Sequence, residues 1–167
     1  MIISLAFSTA GLAQQVSVES GAYQLMLQGL LKRDVPEVDA AQAYQLLGQA
    51  VFIDTRSRAE YEVSHISDAL WVGYDNFDTS RLQDIPKDKK IVAYCSVGAR
   101  SEKITRQLRA LGYSDVSNLY GGIFEWVNQK MPVYKKKNET TDKVHAYNKA
   151  WGIWLNQGQK VYRPKPD

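Results

Sequence analysis

Apolar residues fall into short runs between residues 35 and 119, separated by stretches with helical spacing. The runs Val35–Val38, Val51–Ile53, Leu70–Val72, Ile91–Tyr94 and Val116–Leu119 all have strand length. The middle three carry no charged position, which predicts strands covered on both faces. Between them, Asp39 stands where it would cap a helix over Ala40–Leu47 that stops at Gly48. Ser57 and Glu60 have capping-box spacing for a short helix reaching Glu62. Ile104, Leu108 and Leu111 stand at i, i+4 and i+7, one apolar stripe that Gly112 closes. This alternation predicts an α/β domain of three layers, with a central parallel sheet of about five strands and helices on both faces.

Extensions flank that block, which is expected to span residues 35–134. In the N-terminal extension, residues 14–34, Ser20–Leu31 reads as an amphipathic helix with Tyr23, Leu27, Leu30 and Leu31 on one side. The C-terminal extension, residues 135–167, is basic and aromatic. After a linker at Lys135–Asn138, Val144, Tyr147, Trp151 and Trp154 follow helical spacing, which predicts a helix packed back on the domain, with a lid or a partner surface as the alternative. Residues 1–13 contain no charged side chain, and Gly11-Leu12-Ala13 places small residues where a signal peptidase reads. The expectation is a cleaved signal peptide and export to the periplasm or beyond, although no Lys or Arg precedes the apolar stretch. If the stretch instead belongs to the fold, a cytoplasmic location follows. It is shorter than the roughly 20 residues a bilayer span needs, so no stable membrane insertion is expected.

Composition narrows the class. The chain has 167 residues, 44% hydrophobic and 23% charged, as in an ordinary globular protein, which excludes disorder and fibrous repeats. A single Cys excludes an intrachain disulfide, and one Cys with two His cannot furnish an ordinary structural zinc site, so no metal is expected. The net charge of +3 is a property of the tail: residues 1–134 hold 13 Lys/Arg against 15 Asp/Glu, and residues 135–167 hold 8 against 3. The only run of basic residues is Lys135–Lys137, so no nucleic-acid partner is expected. Nothing in the sequence speaks for an oligomer, and a monomer is the default.

The candidate chemistry sits at Cys95. The segment Tyr94-Cys95-Ser96-Val97-Gly98-Ala99-Arg100-Ser101 joins the most apolar strand to the best helix, at the sheet edge where parallel α/β proteins bind ligands. Small residues and a glycine let the backbone amides of Ser96, Val97, Gly98, Ala99, Arg100 and Ser101 converge as an anion nest. The following helix adds its positive end, and Arg100 a full charge. All three favour the thiolate, the reactive form of cysteine. The plainer alternative is a small buried hydrophobe.

The loop C-S-V-G-A-R-S at Cys95–Ser101 resembles the active-site loop of the rhodanese family, sulfurtransferases that carry sulfur as a cysteine persulfide. Asp54-Thr55-Arg56 resembles the family's Asp-x-Arg; Glu60-Tyr61, His65-Ile66 and Ala69 resemble its E-[FY]-x-x-G-H-I-x-G-A segment. Gly121-Gly122-Ile123, Trp126 and Pro132-Val133 resemble its closing motif. Ser64 and Asp68 depart from that pattern, standing where the family commonly has Gly, so the turn around His65 is expected to differ slightly.

The resemblance implies a rhodanese-like fold, Cys95 as persulfide carrier, a Ser96–Arg100 cradle and Arg100 as binder of an anionic donor. It implies that Asp54 and Arg56 support the architecture, with Arg56 pairing Glu60, and that His65 is structural. His145 is expected at the surface. The implied reaction passes sulfane sulfur from a small anionic donor such as thiosulfate to cyanide, a thiol or a protein cysteine, with no cofactor. A non-catalytic partner-binding or redox-sensing module on the same fold is the alternative. A cysteine-dependent phosphatase or arsenate reductase fits poorly, since Cys95 and Arg100 are separated by four residues rather than five.

Overall fold

The computed structural model describes residues 15–164, so the segment expected to be a signal peptide lies outside the described residues. Helix α1 (Gly21–Leu30) opens the described chain, followed by β1 (Glu37–Val38), α2 (Ala40–Gln45), β2 (Val51–Asp54), α3 (Arg58–Val63), β3 (Leu70–Trp71), β4 (Ile91–Tyr94), α4 (Ala99–Ala110), β5 (Val116–Leu119) and α5 (Gly122–Asn128). The expected capping box forms between Ser57 and Glu60 at α3, and Asp39, expected as the cap of α2, makes a second box with Gln42. The five strands make one wholly parallel sheet in the order β1-β5-β4-β2-β3.

Alternation along the central strands sends side chains into two cores. Phe52, Val92 and Tyr94 belong to the core shared with α1, α2, α5 and the C-terminal segment. Ile53, Ile91 and Ala93 belong to the core beneath α4, with Ile104, Leu108 and Val116. Both faces are therefore apolar, which is why these strands show no alternation in sequence. The α4 stripe ends one turn early: Leu111, expected in it, is half exposed at the helix terminus.

The N-terminal extension is an integral layer. Tyr23, Leu27 and Leu31 are buried, and each contributes on the order of 2 kcal/mol by removing its side chain from water. Leu30, expected on the same side, is instead 37% exposed.

The C-terminal extension departs from its helical spacing. In place of a linker, β6 (Val133–Lys136) pairs antiparallel with β7 (Glu139–Thr141). Further on, β8 (Lys143–His145) pairs in parallel with β9 (Gln159–Val161), leaving only the short helix α6 (Lys149–Gly152) between them. Val144 is therefore a strand residue, and Tyr147 at φ +61° cannot continue a helix. Asn148 caps α6 by accepting the Trp151 N–H. Three of the four apolar residues still face inward, because burial, rather than a shared helix, sets their spacing: Val144 is buried, and Trp151 and Trp154 pack against the main core, while Tyr147 stays 37% exposed. Among the described residues, no helix is long and apolar enough to cross a membrane.

Candidate active site

Strands β2 and β4 are neighbours, yet the chain leaves β2 toward β3 on one side and β4 toward β5 on the other. The crevice beyond the carboxyl ends of such a pair is where open α/β sheets bind ligands. Strand β4 delivers Cys95 there, and β2 ends at Asp54.

The loop turns at Gly98, whose φ of +106° lies in the left-handed region that favours glycine. The Gly98 N–H donates to Cys95 Sγ at 3.1 Å. The loop's carbonyls are engaged elsewhere: Ile123 and Phe124, at the start of α5, donate to the Cys95 and Ser96 oxygens at 2.9 and 3.1 Å. Asn118 Nδ2 donates to the Gly98 oxygen at 3.2 Å, while its Oδ1 accepts the Ser101 hydroxyl at 2.6 Å. In α4 the Gly98 oxygen takes the Glu102 N–H, so the Ala99, Arg100 and Ser101 amides have no intrahelical acceptor. These amides and the positive end of α4 lie on the side of the loop where an anion would be held.

Cys95 is buried and lines a pocket of about 160 Å³ together with Leu30 of α1, Val97 of the loop, Ala99 and Arg100 at the start of α4, and Tyr147 and Trp151 of the C-terminal segment.

Arg100 does not stand free as a donor-binding cation. Its Nη1 and Nη2 donate to the two carboxylate oxygens of Glu60 at 2.8 and 2.7 Å, and Nη2 also reaches Ser96 Oγ at 3.0 Å. The Ser96 hydroxyl in turn donates to Glu60 Oε1 at 2.9 Å, so the loop is tied to α3. Burial alone would raise the Glu60 carboxyl, but the hydrogen bonds and charge of Arg100, with the charge of Arg56, outweigh it and hold the group at about 2.

The expected Arg56–Glu60 pair is replaced by another. Arg56, fully buried, donates from Nε and Nη2 to Asp54, with an Nη2–Oδ2 distance of 2.6 Å, and from Nη2 to the Ser64 carbonyl at 2.6 Å. Two residues apart at the end of β2, Asp54 and Arg56 meet without any turn of helix between them, whereas Glu60 faces α4. The Asp54–Arg56 pair braces the turn after α3. His65 stacks on Tyr61 at 4.1 Å, its Nδ1 lies 3.1 Å from the Tyr61 carbonyl, and its backbone bridges to Tyr134, all structural contacts. Of the two departures near it, Asp68 takes φ +53°, while Ser64 is extended at φ −169° and needs no glycine. His145, expected at the surface, is fully buried, because β8 lies beneath the tail and its Nε2 bonds the Pro164 carbonyl at 2.7 Å.

Several supporting residues escape sequence reading. Glu60 was legible as a cap, but nothing local announces a partner 40 residues on. Asn118 sits in a strand that reads as ordinary. Gly122 had a signal in the Gly121-Gly122 pair after β5, and Leu30, Tyr147 and Trp151 had one in their apolar spacing, without the pocket they share.

Comparison with known proteins gives one consistent picture. The family model for the rhodanese-like domain matches residues 39–129. A tRNA uridine(34) hydroxylase of Erwinia tasmaniensis is 39% identical over 104 residues, 56% of this chain and 30% of that protein. Its Escherichia coli counterpart is 38% identical over 93 residues, 50% of this chain and 27% of that one. The chain thus spans less than a third of the length of these curated relatives. Among solved structures, a rhodanese-related protein from Thermoplasma volcanium superposes with a TM-score of 0.52 at 24% identity, covering 60% of this chain and 99% of the other. A rhodanese-like domain from Anabaena reaches 0.56 at 22% identity, covering 62% and 81%.

Proposed function

This chain belongs to the rhodanese-like domain family, and from that premise we propose that it is a sulfurtransferase that carries sulfane sulfur on Cys95. The observation that carries the reading is the Gly98 N–H on Cys95 Sγ, in the loop that leads into α4, with Cys95 lining a pocket. In the first half-reaction the Cys95 thiolate attacks the outer sulfur of a donor, thiosulfate being the simplest. The donor's sulfur–sulfur bond breaks, sulfite leaves with the bonding pair, and Cys95–S–S⁻ remains. The loop amides and the α4 terminus stabilise its charge. In the second half-reaction a nucleophile (cyanide, a thiol or a protein cysteine) takes the outer sulfur and the thiolate returns.

Arg100, balanced by Glu60, holds Ser96 and the loop in place, and its net field toward a donor is correspondingly small. A tRNA substrate, which the relatives' name brings to mind, is not part of this proposal, because the basic excess lies in the tail. Export directed by residues 1–13 is part of it and rests on their composition.

Two half-reactions through one covalent intermediate require ping-pong kinetics. With thiosulfate varied at several fixed cyanide concentrations, the double-reciprocal lines are expected to stay parallel. Intersecting lines would mean that donor and acceptor react directly in a ternary complex, and the carrier mechanism would fall.

A further inference from the structure

The pocket above Cys95 is apolar and aromatic rather than basic. Leu30, Val97, Ala99, Tyr147 and Trp151 contribute to its wall, and the charge of Arg100 is already matched by Glu60 through two hydrogen bonds. The two extensions build much of this wall, Leu30 from the end of α1 and Tyr147 and Trp151 from the segment after β8. They are fastened to each other and to the domain: Tyr23 stacks on Trp154 at 5.5 Å, and its hydroxyl donates to the Gly121 carbonyl at 2.8 Å.

Tyr147 is held with particular care. A bulky side chain at φ +61° is strained, and such a conformation persists only where its surroundings fix it. Here the Tyr147 N–H donates to His145 Nδ1 at 3.1 Å, which leaves the ring's hydrogen on Nε2 to bond the Pro164 carbonyl. The Tyr147 ring also lies 5.3 Å from the Arg100 guanidinium carbon, covering a face of the paired cation.

A volume of about 160 Å³ compares with an apolar cavity of roughly 150 Å³ that takes up benzene. Resting on the sulfurtransferase reading above, we propose that the donor for this site is an organic sulfane-sulfur compound whose carbon body, about the size of a phenyl ring, occupies the apolar pocket, in preference to thiosulfate. Thiosulfate brings two negative charges to a wall that offers them no unpaired cation and little hydration. An organic donor such as an arylthiosulfonate brings one charge and buries its ring. The step balances in the same way: the Cys95 thiolate attacks the terminal sulfur, the sulfur–sulfur bond breaks, and the arylsulfinate leaves with the bonding pair, giving Cys95–S–S⁻.

The test loads the full chain with benzenethiosulfonate, methanethiosulfonate or thiosulfate and follows Cys95 persulfide formation by intact mass. The native protein is expected to load from the phenyl compound faster than from its methyl counterpart, a pair that differs in the organic body. Trp151→Ala should lower that phenyl-to-methyl ratio about tenfold, and Leu30→Ala, on a different element at an exposed position, several-fold. If the native protein shows no phenyl preference, or if both folded variants keep the native ratio, the pocket does not select the donor, while the carrier role of Cys95 stands. If none of the three donors loads Cys95, the sulfurtransferase reading itself is lost.

Discussion

Gly122→Ala is expected to abolish sulfur loading at Cys95 and to destabilise the fold, although residue 122 touches no substrate. At φ +58°, a Cβ there would stand 2.5 Å from the carbonyl oxygens of both Cys95 and Ser96 and 2.7 Å from the Ser96 carbonyl carbon. Neither oxygen can retreat cheaply, because Ile123 and Phe124 draw them onto the start of α5. The clash therefore moves the loop or the helix. Overpacking of this kind together with a left-handed non-glycine residue costs about 3 kcal/mol or more. For a chain of this length that lowers Tm by on the order of 10 °C. Displacing the sulfur by about 1 Å costs roughly 100-fold in rate, so loading should fall at least that far even in the folded fraction. Thermal melting and the rate of persulfide formation read the two effects separately. A Gly122→Ala protein with native Tm and native loading would mean that α5 does not clamp the loop.

The second large effect is at Glu60. Glu60→Gln keeps the shape but removes the charge that balances Arg100, whose side chain is only 22% exposed. Breaking such a pair from one side costs about 3 kcal/mol or more, since the remaining ion keeps its desolvation penalty. The pH dependence carries a matching signature. The folded carboxyl sits at about 2, below its unfolded value of roughly 4.3, so its stabilisation is complete above about pH 5 and drains away as pH falls toward 2. Urea unfolding of native and Glu60→Gln proteins should therefore show a gap at pH 7 that narrows as the pH approaches 2. A gap of the same size at both ends would show that Glu60 contributes packing rather than charge. Sulfur loading by the folded variant is expected to drop as well, because the Gln amide has one accepting oxygen where Arg100 Nη1 and Nη2 use two, and Arg100 also holds Ser96.

What could be read along the chain follows from how local each determinant is. The strands, the caps at Asp39 and Ser57 and the placement of Cys95 depend on residues within a few positions of one another, and they stand where periodicity and cap spacing put them. The charge pairing depended on distance in space. Asp54, Arg56, Glu60 and Arg100 were all visible, yet proximity in sequence favoured Arg56 with Glu60, while the sheet order brings α3 against the α4 terminus and gives Glu60 to Arg100. The C-terminal segment failed differently. Val144, Trp151 and Trp154 have helical spacing because all three pack toward one core, but the partners that decide the backbone of β8, Lys160 and Val161, lie outside any local window. Leu30 shows the same limit at the other end: its place on the apolar side of α1 was legible, but not that it stays partly exposed beside the pocket.

The central claim is that Cys95 itself carries the sulfur, and intact mass tests it most directly. Native protein and Cys95→Ser are incubated with thiosulfate and with benzenethiosulfonate, weighed, then treated with cyanide and weighed again. The expected result is a gain of about 32 Da on the native chain, one sulfur as a persulfide, which cyanide removes and which Cys95→Ser never acquires. A gain that survives in Cys95→Ser, or a native chain that neither donor modifies, would contradict the account.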